Sequence, residues 1–88
     1  MPYAVTDIQP TPNPNALKFT LDRKISDQST SFFTAESGKD HPIASKLFAV
    51  SGVSSLLLLG DFVTVNKRPE VPWKGITAKV REILQKAE

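Results

Sequence analysis

Two strand-like segments, Val53 to Leu59 and Phe62 to Asn66, are separated by Gly60-Asp61 alone. A two-residue link joins antiparallel strands, and glycine in its first position suits a type II′ turn, where that residue takes a positive φ. In the second arm Val63 and Val65 share one face, and Phe62, Thr64 and Asn66 share the other. A chain with this hairpin must cover one face of a sheet. With 88 residues there is room for one core and a single domain, 1–88. The chain has no cysteine, so neither a disulfide nor a thiolate metal site can be built, and stability must come from burial.

The rest of the pattern supplies the sheet's partners and its cover. Tyr3 to Gln9 alternates as a strand, with Tyr3 and Val5 on one side, Ala4, Thr6 and Ile8 on the other, and Pro10 at its end. Leu17, Phe19 and Leu21 alternate with Ala16, Lys18 and Thr20, the signature of a strand with one buried face. Between them, Pro10 to Asn15 holds three prolines, each fixing its own φ and extending the residue before it, which makes a stiff connector. Asp22 to Ser31 is polar apart from Ile25 and reads as a loop or an irregular hairpin connection. Phe32-Phe33 reads as a short strand, one ring in the core and one covering an edge or groove. After a second polar loop, Asp40-His41-Pro42 opens a helix whose stripe is Ile43, Ala44, Leu47, Phe48 and Val50, closed by Gly52. A last helix starts near Pro72 and carries Trp73, Ile76, Val80, Ile83 and Leu84 at helical spacing. Gly75 inside it marks either a close backbone approach or a late helix start. The order β-β-(β)-α-β-β-α predicts an α+β two-layer sandwich, a mostly antiparallel sheet with both helices on one face.

The side-chain inventory argues against a catalytic centre. There is no cysteine nucleophile, and the one histidine, His41, reads as a capping or first-turn residue before Pro42, with Asp40 the alternative cap. The carboxylates are not paired on a helix face, and one histidine cannot assemble a zinc site, so no catalytic or metal-ligating residue is assigned. Binding is the better expectation. Candidate partner-binding residues are the rigid loop Thr11, Pro12, Asn13, Pro14 and Asn15, the basic group Lys67, Arg68 and Lys74, and Trp73. A preorganised loop loses little entropy on association. Trp73 is either a core lid or an interface anchor, and its place in the apolar stripe favours the core. Net charge is only +2, but six basic residues lie between Lys67 and Lys86 against Glu70 and Glu82. This reads first as a solvated helix face and second as a small nucleic-acid-binding module. The start at Met1-Pro2-Tyr3 lacks a basic, apolar leader, and the longest apolar run, Leu56 to Leu59, is far too short to span a bilayer. The expectation is a cytoplasmic monomer with no membrane partner.

Four segments, in order, carry a family resemblance. Thr11-Pro12-Asn13-Pro14-Asn15-Ala16-Leu17-Lys18-Phe19 resembles the segment that opens the N-terminal domain of Nfu/NifU-type iron-sulfur cluster scaffolds. Pro42 to Phe48 with Val50-Ser51-Gly52-Val53 is similar to that family's first helix and following strand, Asp61 to Lys67 to its hairpin arm, and Trp73 to the tryptophan of its last helix. The resemblance implies a non-catalytic accessory or adaptor domain in iron-sulfur cluster assembly or delivery, whose partner is a cysteine-bearing scaffold or client protein. Those scaffolds hold the cluster on a second domain with a Cys-x-x-Cys motif, and this chain has no cysteine. It is therefore expected to be a stand-alone form of the accessory domain, with iron or a cluster reached only through a partner. His41 stands where the family has a serine or another small residue, and no family role carries over to it.

Overall fold

The computed structural model describes residues 3–86. The hairpin is β4 (Val53–Gly60) and β5 (Phe62–Lys67), with Leu59 opposite Phe62. Gly60 has φ 57°, and no non-glycine among the described residues has a positive φ, so the turn has the backbone sign pattern of type II′. β2 (Ala16–Leu21) pairs with the other side of β5, β1 (Val5–Pro10) lies outside β2, and β3 (Ser26–Phe32) lies outside β4. The sheet runs β1-β2-β5-β4-β3, antiparallel throughout. Two helices, α1 (Pro42–Phe48) and α2 (Trp73–Lys86), cover one face. None of the described helices is long and apolar enough to cross a membrane.

The core lies between that face and the helices. Phe19 and Leu21 of β2, Val63 and Val65 of β5, and Leu56 and Leu58 of β4 meet Leu47 of α1 and Ile76, Val80 and Leu84 of α2, all buried. Two register shifts keep this layer continuous. In β1, Val5 faces Leu21, but the next partners are Asp7 with Thr20 and Ile8 with Phe19, so one extra residue is accommodated at Thr6. A bulge of this kind changes which side chains share a face. Val5 and Ile8, on opposite faces by strict alternation, therefore both pack on the core. β4 does the same at Ser54, which lets Val53 and Leu56 both be buried.

The segment from Ser26 to Ser31, expected to be loop, is most of an edge strand. Its side chains are exposed or half-buried, because an edge strand with one wet face needs no apolar alternation. The link from β2 to β3 crosses the end of the hairpin. There the Leu21 and Ile25 N–H groups donate to the Asp61 and Gly60 carbonyls at 2.6 and 2.7 Å. Phe32 packs on the core, while Phe33 is 77% exposed and covers nothing.

The two glycines beside the helices have opposite requirements. Gly52 has φ 99°, and a methyl group there would stand 2.8 Å from Cγ1 of Val71. Gly75 lies in the first turn of α2, and a methyl group there would meet nothing within 4 Å, so no close approach within the domain demands it. We expect Gly52→Ala to destabilise by about 2 kcal/mol or more and Gly75→Ala to stabilise by about 0.5–1 kcal/mol. Urea midpoints at unchanged slope check both; a neutral Gly52→Ala would contradict the backbone described.

Candidate functional site

The Pro-Asn loop folds on itself before it touches anything else. Thr11 Oγ1 accepts from Asn13 N–H at 3.1 Å and is within bonding distance of the Asn13 and Ala16 carbonyls at 2.9 and 3.0 Å. Asn13 Oδ1 accepts from Asn15 N–H at 2.9 Å, an Asx turn, and the Asn13 carbonyl accepts from Ala16 N–H at 3.0 Å. With φ fixed at Pro12 and Pro14, few alternatives remain to the backbone.

Three bonds then fasten the loop to the domain. Lys67 N–H donates to the Asn15 carbonyl at 2.8 Å, and Lys67 Nζ donates to Asn15 Oδ1 at 3.1 Å and to the Arg68 carbonyl at 3.2 Å. Trp73 Nε1 donates to the Pro14 carbonyl at 3.1 Å. The ammonium also lies 5.6 Å from the centre of the Trp73 ring, within cation–π range. Lys67 is only 8% exposed, and among the described residues no carboxylate pairs with it. Its charge is held by two oxygens and an aromatic face, enough to occupy the donors of an ammonium.

The structure thus brings Thr11, Pro12, Asn13, Pro14, Asn15, Lys67 and Trp73 together. The expectation of an exposed Lys67-Arg68 pair needs correction. Lys67 continues the inward face of Val63 and Val65, and its ammonium is spent inside, while the Arg68 and Lys74 side chains remain exposed. Period-two alternation along β5 was the signal that could have placed it. Both asparagine side-chain oxygens are engaged, Asn13 Oδ1 within the loop and Asn15 Oδ1 by Lys67, so the loop offers outward the rings of Pro12 and Pro14 and the amide NH₂ of Asn13. Trp73 is half-buried, a strap across the loop.

His41 stands apart from this site and caps α1. Its Nδ1 accepts from the Ile43 and Ala44 N–H groups at 3.2 and 3.1 Å, and its ring meets Phe32 edge-on with centroids 5.4 Å apart. An imidazole here does the work of a serine cap. Burial holds its pKa below the usual 6.5, and the two bonds to Nδ1 also require the neutral ring.

Among the described residues no three histidine, cysteine or carboxylate side chains converge. An iron-sulfur cluster takes thiolate ligands, and the chain has no cysteine. These residues do not fit a resident cluster.

The family model for the scaffold protein Nfu/NifU N-terminal domain matches residues 5–87. The chain belongs to this family. A "Conserved virulence factor C" of Staphylococcus saprophyticus is 30% identical over 91% of this chain and 22% of its own length. The human mitochondrial "NFU1 iron-sulfur cluster scaffold homolog" is 38% identical over 77% of this chain and 27% of its own. The chain therefore spans about a quarter of the length of these two relatives. A NifU-like protein of Saccharomyces cerevisiae, solved by NMR, superposes with TM-score 0.81 at 29% identity, covering 94% of this chain and 77% of that one. The five-stranded antiparallel sheet with two helices is thus the Nfu N-terminal fold.

Two measurements probe the site and the cap. A double-mutant cycle on Asn15→Ala and Lys67→Met should return a coupling energy of about 1–3 kcal/mol, as for a charge-assisted hydrogen bond; additivity would show that the two do not act together. For His41, a lowered folded pKa means that the unfolded chain takes the proton first. Its contribution, up to about 1 kcal/mol for a cap, is complete above pH 6.5 and is lost as pH falls through the folded value. Urea midpoints between pH 7.5 and 5 should fall for the wild type, and His41→Ser should remove that component.

Proposed function

We propose that this Nfu N-terminal domain is a non-catalytic cytoplasmic adaptor in iron-sulfur cluster assembly or delivery. It acts as a monomer through contact with a cysteine-bearing scaffold or client protein. The observation that carries the reading is the fastened loop: a surface fixed in advance by Lys67 and Trp73, whose outward groups are two proline rings and an amide. Such a surface suits docking, because the order that binding requires is already present. Arg68 and Lys74, exposed beside it, supply charge for steering an acidic partner. A cluster enters this reading only as cargo, carried on thiolates of the partner.

The test is an isotope-edited NMR titration of the domain with a cysteine-bearing Nfu-type C-terminal domain, apo and cluster-loaded. Saturable amide shifts confined to Thr11–Asn15 and Arg68–Lys74 are expected, with binding weakened by Asn13→Ala. Absence of saturable shifts at millimolar partner would overturn the adaptor role.

A further inference from the structure

We propose that the seam between α1 and α2, on the outer side of the helix layer, is a docking trough for an acidic amphipathic helix of a partner protein. Two adjoining hollows form it. One, of about 300 Å³, lies between Ala49, Val50 and Ile83, with Lys46, Lys79 and Glu82 around it. The other, of about 170 Å³, lies among Val71, Pro72, Gly75 and Ile76. They share Val50 and Lys79 and so make one trough. From Pro72 to Ile83 it follows α2 for roughly 16 Å, the length of three turns of a docked helix.

Three observations fix the occupant. The first is charge: the trough itself is lined by Lys46 and Lys79 against a single acid, Glu82. Glu82 is already paired with Lys86 at 2.9 Å, which holds its carboxyl below the usual range. The rim therefore complements a carboxylate-bearing face. The second is the backbone. The lining comes from α2, the end of α1 and the turns at residues 49–51 and 71–72, and includes no strand edge. A strand laid there would lose its hydrogen bonds to water with few returned, whereas a helix brings its own. The third is Gly75, which carries a helix-propensity cost of up to about 1 kcal/mol that nothing inside the domain explains, since a side chain there would meet open space. A helix packing from outside gives that space a use.

This surface differs from the loop described above, and the proposal does not rest on the adaptor reading. The experiment titrates the labelled domain with an amphipathic peptide of about 18 residues, long enough for a stable helix, with leucines on one face and glutamates on the other. Parallel titrations use its glutamine and lysine counterparts and a single-stranded oligonucleotide. Saturable shifts at Val50, Gly75, Lys79 and Ile83 are expected with the glutamate peptide. The double variant Lys46→Glu/Lys79→Glu should weaken binding by about tenfold or more, and Gly75→Gln, which fills the hollow without straining the fold, by about fivefold. Shifts on the open sheet face instead, equal binding of the glutamine peptide, tighter binding of the oligonucleotide on the same seam, or no saturable shifts would each overturn the proposal.

Discussion

One apolar layer between a five-stranded sheet and two short helices holds this cysteine-free chain folded, and the rest of the architecture keeps that layer unbroken. Strict alternation along β1 would turn either Val5 or Ile8 away from the core. The extra residue at Thr6 brings both back, and the shift at Ser54 does the same for Val53 and Leu56. The carbonyls of the hairpin turn accept from Leu21 at the end of β2 and from Ile25 in the link to β3, so the turn also anchors that crossing. In a domain this small each such device matters, since there is little other buried surface to offset its loss.

The second organising element is a charge kept from water. Removing an ammonium from solvent is costly, and with no carboxylate among the described residues paired to it Lys67 recovers that cost through two oxygens and an indole face. The same arrangement joins the Pro-Asn loop, the end of the central strand β5 and the first turn of α2 at one point. Loop order is thereby coupled to the packing of the helix. The Nfu-type segment reads as a motif in sequence, and in three dimensions it is one side of a fastening whose other side lies more than fifty residues away.

Much of this was legible in the sequence, and the reasons differ by element. The hairpin, β2 and both helices announce themselves because a half-buried element writes its period into the order of apolar residues. β3 does not, since an edge strand with exposed side chains can be built from Ser26 to Ser31 as readily as a loop can. The bulges were hidden because a single extra residue shifts phase without changing composition. At the site, the rigidity of the loop could be read from its prolines. The bond from Trp73 to the Pro14 carbonyl could not, because backbone acceptors leave no mark in a side-chain pattern. Lys67 lay in between: its type suggested surface, while its place two residues after Val65 pointed inward.

The bond between Trp73 and the Pro14 carbonyl has an optical consequence. The chain contains a single tryptophan, and it is the residue that straps the loop. Indole emission responds to hydrogen bonding at its N–H and to charge beside its ring, and both are set here by Pro14 and Lys67. The protein therefore carries a built-in fluorophore at the junction of loop, strand and helix, so its colour and intensity report whether that junction is closed without any label being attached.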